Sequence, residues 1–410
     1  MNLVHEGHIA TPKGFYADGL HAGLKRMKKD IGLIYSEVLA QTAAVYTQNS
    51  FKGAPITVTQ DSLASSAETQ DSLASSAETQ VLIVNSGNAN TCTGKQGLAD
   101  AYAMRLATAK KINVPEEYVT VASTGVIGVP LNMPLVLDGI AQLDEQLSNG
   151  KGFQEAILTT DKTIKDVCIT IQLDGQRVTI AGAAKGSGMI NPNMATLLGF
   201  ITTDAAIEGA YLDKLLRQTI EASFNQITID GDTSTNDMVL VMANGMAGNK
   251  PISAHHPEMT LFKEALLYVC TVLSKKVAED GEGATKLIEV TVNGALHKEE
   301  ARLIAKTVVG SNLVKAAFFG EDGNWGRIID AVGYSGVPVN PDTVDISISD
   351  VAVLVQSEPV EVDEAAVLSP VLQQKEVSVV IDLHLGTETG TAWGCDLSYD
   401  YVKINAAYRT

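Results

Sequence analysis

Short apolar runs rich in Val, Ile and Thr, bounded by Gly, Asn or Ser, recur along the chain: Val81–Asn85, Val119–Ser123, Val167–Leu173, Val178–Gly182, Lys286–Val292, Val377–Leu385 and Thr391–Leu397. β-Branched side chains suit the pleated, half-buried surface of a sheet, so each run predicts a strand. Between the runs the period changes. Over Ala210–Phe224, the residues Leu212, Leu215, Leu216, Thr219, Ile220 and Phe224 recur at helical spacing, which places them on one face of a helix. Leu261–Ala278 repeats the pattern through Phe262, Ala265, Val269, Leu273 and Val277, and Glu299–Val309 and Trp325–Val332 are shorter helices of the same kind. The regular strand–helix alternation of a doubly wound sheet is missing. The pattern therefore predicts an α/β chain of the α+β kind, with an αββα layering fitting better than a dinucleotide-binding sheet.

At roughly 100–200 residues per domain, a chain of 410 residues predicts two or three packing units. Asp61–Gln70 and Asp71–Gln80 are the same ten residues, DSLASSAETQ, in tandem. Ten residues are too short a unit to stack as a solenoid, and the Ser-rich content predicts a surface loop or a short capped helix that tolerates insertion.

Charge narrows the function classes. The net charge of −18 repels nucleic-acid backbones and anionic membrane surfaces alike. It is unevenly placed: residues 1–195 hold 15 basic and 18 acidic residues, and 196–410 hold 15 and 30. Two long charge-free stretches, Tyr118–Leu137 and Gly186–Thr203, carry Pro and Asn internally (Pro130, Asn132, Pro134; Asn191, Pro192, Asn193) and do not read as membrane spans. The start of the sequence lacks the basic and apolar regions of a secretory signal. Cys92, Cys168, Cys270 and Cys395 are far apart with no C-x-x-C pair. Reduced thiols in a cytoplasm are the expectation.

Several chemical-looking patterns fail on inspection. Asp230–Asp237 begins like a calcium loop, but Thr235 stands where the turn glycine belongs and Val241 where the bidentate Glu belongs; tight-turn chemistry is the better reading. Lys185-Gly186-Ser187-Gly188 is not preceded by a phosphate-loop pattern, and no G-x-S-x-G is present. Of the seven histidines only His255 and His256 are neighbours, beside Pro257. No metal or resident cofactor is expected.

The informative stretch is Gly182–Asp204, GAAKGSGMINPNMATLLGFITTD. Small residues crowd a turn, Asn191-Pro192-Asn193, that precedes Ala195-Thr196 and a continuous apolar run. A hydroxyl following a small residue at such a junction suits self-cleavage, in which Thr196 Oγ attacks the Ala195 carbonyl. Scission would leave Thr196 with a free α-amine of pKa ~7.7–8.0, so that one residue supplies both nucleophile and base. On the residues alone, a threonine that merely begins a strand is the favoured reading.

The segment Lys185–Thr203 (KGSGMINPNMATLLGFITT) closely resembles the self-cleavage segment of the ornithine acetyltransferase family, the bifunctional glutamate N-acetyltransferases of arginine biosynthesis. Further blocks are similar: ASTGVIG (Ala122–Gly128), NSGNAN (Asn85–Asn90), ILTTD (Ile157–Asp161), FNQITIDGDTSTND (Phe224–Asp237), DGEGATK (Asp280–Lys286) and the tail WGCDLSYDYVKINAAYRT (Trp393–Thr410). The resemblance spans essentially the whole chain; the tandem ten-mer is its clear departure.

By matching position, the resemblance implies that Thr196 is the nucleophile and Ala195–Thr196 the processing site. Thr124 (hydroxyl) and Gly125 (backbone N–H) would form the oxyanion hole, while Thr159, Lys185, Thr196, Glu282, Asn405 and Thr410 would bind substrate. Lys185 suits a carboxylate and Glu282 an ammonium; the use of Asn405 and Thr410 requires the C-terminal tail to dock. The resemblance further implies a layered αββα sandwich similar to Ntn hydrolases with different connectivity. It implies cleavage into chains 1–195 and 196–410, assembled as a heterotetramer of two of each. The activity implied is acetyl transfer from N2-acetylornithine to glutamate, with acetyl-CoA open as a second donor. Two rivals remain: an N-terminal-nucleophile amidase or aminopeptidase in which water resolves the ester, and a binding protein with a vestigial site.

Overall fold

A computed structural model of the chain describes residues 1–68, 76–191 and 197–407. The expectations for Ala195, Thr196 and Thr410, and for the junction of the tandem repeat, fall outside the described residues.

The chain forms two compact units. The first comprises Met1–Gly186, the stretch ending at Asn225, and Thr233–Leu273; the second comprises Ser187–Asn191, Gln226–Asp232 and Ser274–Thr410. In the first unit a nine-stranded mixed sheet is organised by one long strand, Ile31–Tyr46. Its first half pairs with Phe15–Leu20 and Glu78–Asn88, and its second half with Met238–Ala243. Between them the register shifts, and Glu37, Val38 and Leu39 are exposed. Side chains from both halves meet in one cluster. Leu82, Val84 and Ala122 come from one side, and Ala183, Leu198, Phe200, Met238 and Leu240 from the other. Phe153 packs edge-on against Phe200 at 5.7 Å between ring centroids. The sheet thus folds over at the long strand into two packed layers, a route to burial for strands that are apolar on both faces.

Helices cover the outer faces. Ala54–Glu68, Gly94–Ile112 and Met133–Gln142 bury Val58, Ala101, Met104, Val136 and Ile140 against Ile31, Leu33, Val81, Ile83, Val119 and Val121. On the other half, Gly182 leaves room for a helix: a Cβ there would stand 2.7 Å from Leu273 and 3.0 Å from Val269. The layered αββα order expected from the sequence is present in this unit.

The second unit is a seven-stranded mixed sheet centred on Leu287–Ala295, parallel to Glu376–Asp382 and antiparallel to Glu388–Cys395. One face buries Ile288, Val290, Val292, Val377, Val379 and Ile381 under Lys298–Gly310, Asn312–Phe319 and Trp325–Gly333. Each such side chain contributes about 1.5–3 kcal/mol on burial. The expected helices are present as Gly209–Glu221, Met259–Glu279, Lys298–Gly310 and Trp325–Gly333.

The tandem repeat meets expectation in part, since the described residues of the first copy are helical but within a longer helix. The first copy continues the Ala54–Glu68 helix with Ser62 and Ser66 buried, whereas Glu78–Gln80 of the second copy opens a strand. Glu78 N–H donates to Ser66 Oγ at 3.2 Å, and Thr79 is fully buried. Glu68 ends the helix whereas its counterpart Glu78 opens the strand, because their tertiary neighbours differ and override weak intrinsic preference. The described parts of both copies are integrated into the fold.

Candidate active site

Thr124 and Gly125 lie near the end of strand Val119–Val126, which runs parallel to Glu78–Asn88. There the ladder is irregular: Gly87 pairs with Gly125, and Asn88 with both Thr124 and Val126. Gly125 has φ +133°, and a Cβ on it would stand 2.3 Å from the Gly87 carbonyl carbon. Only glycine fits both the conformation and the approach. Behind this turn Asn236 Nδ2 donates to the Ser123 carbonyl, and Ser123 Oγ donates to Asn85 Oδ1 at 2.5 Å. The strand end is therefore fixed from two directions.

Lys185, buried at the end of strand Gln176–Lys185, donates from Nζ to Thr124 Oγ1 at 3.2 Å. A hydroxyl that accepts this bond keeps its own proton for donation. Lys185 thus turns Thr124 into a donor, the role an oxyanion site requires.

A buried carboxylate organises the adjacent loop. Asp161 Oδ1 accepts from Lys165 Nζ at 2.7 Å and from Gly186 N–H at 2.7 Å; Oδ2 accepts from Thr159 N–H at 2.8 Å and Thr159 Oγ1 at 3.4 Å. Burial alone would push this carboxyl up. The charges of Lys185 and Lys165, with the hydrogen bonds from Lys165 and the Thr159 amide, outweigh it and hold Asp161 well below the ordinary carboxylate range. Thr159, Lys185 and Thr124 are thereby tied into one cluster. The sequence flagged ILTTD without singling out Asp161 or Lys165; a carboxylate beside a hydroxyl carries no signal until Gly186 and Lys165 close around it.

Asp237, at the entry to strand Met238–Ala243, is also buried, but its Oδ2 has no hydrogen-bond partner among the described residues. Burial pushes its carboxyl well above the ordinary range, opposed by a Ser234 hydrogen bond and the charge of Lys185.

In the second unit, Asn405 Nδ2 donates to Glu282 Oε2 at 2.8 Å, and Glu282 N–H donates to the Ser187 carbonyl at 2.7 Å. Asn405 lies on the helix Tyr399–Ala406, whose N-cap Ser398 donates from Oγ to the Gly283 carbonyl at 2.6 Å. Gly283 has φ +73°, and a Cβ on it would stand 2.4 Å from Tyr401 N. The tail docks on the 280–284 turn through this contact, so Asn405 is not frayed away from Glu282. Asp230 accepts from Met189 N–H at 2.6 Å and Ile190 N–H at 2.8 Å, so its oxygens serve a turn. The structure thus brings Thr124, Gly125, Thr159 and Lys185 together in the first unit, and Glu282 and Asn405 together in the second.

A layered α/β frame that presents an oriented hydroxyl beside a positive-φ glycine and a buried lysine has the donors that acyl transfer uses. The chain belongs to the ArgJ family, whose model matches residues 16–410. It is similar to the arginine biosynthesis bifunctional protein ArgJ of Listeria monocytogenes serotype 4b (strain F2365), 54% identical over 410 residues and covering 100% of both chains. The protein of that name from Geobacillus kaustophilus (strain HTA426) is 54% identical over 412 residues, covering 100% of this chain and 98% of the relative. The solved structure of the arginine biosynthesis bifunctional protein argJ from Bacillus halodurans is 51% identical with a TM-score of 0.51. It covers 52% of this chain and 100% of that chain. No helix among the described residues is long and apolar enough to cross a membrane.

Proposed function

We propose that this chain is a self-processing acetyltransferase of arginine biosynthesis that moves an acetyl group from N2-acetylornithine to glutamate. The observation that carries the site reading is the Lys185–Thr124 hydrogen bond beside Gly125, within a chain whose relatives are named for arginine biosynthesis over their full length.

In this reading the precursor splits at Ala195–Thr196. Thr196 Oγ attacks the acetyl carbonyl carbon and passes its proton to its own α-amine. The tetrahedral oxyanion accepts from Thr124 Oγ–H and Gly125 N–H. Collapse expels ornithine, whose amine takes the proton, and leaves an acetyl ester on Thr196. The glutamate amine then attacks the ester, Thr196 recovers its proton, and N-acetylglutamate departs. Lys185 and Thr159 meet substrate polar groups in the first unit; Glu282, Asn405 and Thr410 serve the ammonium side. Acetyl-CoA enters as an alternative donor by acylating the same hydroxyl, without a resident cofactor.

Two observations support the split. Strands Leu198–Thr203 and Met238–Ala243, which follow the cut, lie between Gln176–Lys185 and Ile31–Tyr46, which precede it. Two hydrogen-bonded ladders, Leu198–Thr203 on Gln176–Lys185 and Met238–Ala243 on Ile31–Tyr46, therefore hold the products together. Residues 196–410 also number 215, or 52% of 410, the same share that the whole Bacillus halodurans chain covers. Assembly is proposed as two chains of each kind, in the cytoplasm. The test is acetyl transfer to glutamate assayed beside acetate release, for wild type and Thr196→Ala. Transfer by wild type, with an uncut and inactive variant, is expected; acetate release in place of transfer makes the enzyme an amidase.

A further inference from the structure

Lys25 has no role in the scheme above, yet the fold builds a place for it. The loop carrying it is pinned by Asp30, fully buried, whose carboxylate accepts from Ala22 N–H (2.6 Å), Gly23 N–H (3.1 Å) and Lys25 N–H (2.9 Å) and contacts His21 Nδ1 at 3.1 Å. The side chain leaves this loop along Gly87: a Cβ there would stand 2.8 Å from Lys25 Cγ. Gly87 is the ladder partner of Gly125, so the aliphatic stem crosses beside the strand end that holds Thr124. The ammonium donates to the Leu158 carbonyl at 2.8 Å, one residue before Thr159. A Gly87 side chain would displace the stem, and loss of the Asp30 bonds would release the loop.

An ammonium has three donors, and the partner found for this one is neutral. Among the described residues no carboxylate forms an ion pair with Lys25. Burial lowers its pKa to about 8, against the pull of Asp30 and Asp161 and with the repulsion of Lys28 and Lys185. A half-buried cation with a neutral partner and a second lysine within electrostatic reach makes the surroundings favourable for an anion.

We infer that Lys25 anchors the carboxylate that distinguishes glutamate from the ornithine side of the reaction, and so selects the acceptor. N2-acetylornithine carries one carboxylate and, at its far end, an ammonium that Lys25 would repel; glutamate carries two carboxylates. The inference rests on glutamate being the acceptor. Lys25 is a specificity residue and takes no part in proton transfer.

Ping-pong kinetics separate the two substrates, because the kcat/KM of each reports its own half-reaction. Lys25→Gln keeps a donor for the Leu158 carbonyl and removes the charge. It is expected to lower kcat/KM for glutamate on the order of 10²-fold, the effect of losing a charged hydrogen bond. The value for N2-acetylornithine should stay level or rise, because the change removes no contact to that substrate and relieves the repulsion of its ammonium. The preference for glutamate over glutamine as acceptor should collapse in Lys25→Gln and be kept largely in Lys25→Arg. Equal losses for donor and acceptor, or an unchanged glutamate-to-glutamine ratio, overturn the inference and make Lys25 a structural tie. If Lys25→Gln fails to fold, the ratio measured in Lys25→Met and Lys25→Arg decides the same point. Failure of wild type to acetylate glutamate at all instead refutes the acceptor reading beneath it.

Discussion

Asp161 and Asp237 are two buried carboxyls in one unit, both within electrostatic reach of Lys185, and they are driven in opposite directions. Asp161 is saturated by an ammonium, two backbone amides and a hydroxyl. Asp237 keeps one oxygen without a partner. Burial is common to both, so it is the neighbouring lysine charges, together with the hydrogen bonds, that decide whether each buried acid is a fixed anion or a neutral group. The fixed anion is the one that positions Thr159, Lys165 and the Lys185–Gly186 corner.

The largest break in this contrast comes from Asp161→Asn. Lys165, fully buried, would lose its counter-charge, a change that costs about 3–5 kcal/mol; the midpoint of urea unfolding should fall accordingly, and acetyl transfer with it. Thr124→Val tests what the cluster is for. It removes the donor that Lys185 orients, and kcat should drop by ~10²–10³ with the unfolding midpoint little changed. At or below pH ~3.9, Asp237→Asn should be mild, within about 1 kcal/mol of wild type, because an amide then replaces a carboxyl neutral in both states.

The pH dependence sharpens the same comparison. The pKa of Asp161 is depressed on folding, so its contribution to stability is present above the unfolded pKa of ~3.9 and fades as pH falls through the folded value. Asp237 has the opposite sign. Its folded pKa is raised, so stability is lost as pH rises from ~3.9 toward the folded value. Asp237→Asn should therefore remove a decline in stability above that pH, and Asp161→Asn a decline at the acid end. Urea unfolding of the three proteins across pH reads both signs.

Legibility in the sequence followed the range of the interactions. The Gly209–Glu221 helix was readable because its buried residues repeat within their own turn. So were the strands that bear Thr124 and Lys185, whose apolar runs are local. The long Ile31–Tyr46 strand escaped notice because Gly32 and the exposed Glu37–Leu39 stretch break its alternation. Its continuity comes from partners on both sides of the bend. The Ala54–Glu68 helix was obscured by Ser and β-branched residues and by the repeat it runs into. Thr124, Lys185 and Glu282 were identified through family resemblance, since an S-T-G turn or a loop acid has no chemical signature of its own. Asp161 and Lys25 were missed for a related reason. Gly186 is 25 positions from Asp161, and Leu158 is 133 from Lys25. Within the sequence, Lys25 is one more member of the basic run Lys25–Lys29, indistinguishable from a solvated face.

The most direct test of Thr196 as nucleophile is denaturing mass spectrometry of the purified protein after brief exposure to N2-acetylornithine without glutamate. The expected result is two chains, residues 1–195 and 196–410, with one acetyl group on the second that disappears when glutamate is added. A single uncut chain, or an acetyl group that stays off residues 196–410, would contradict it.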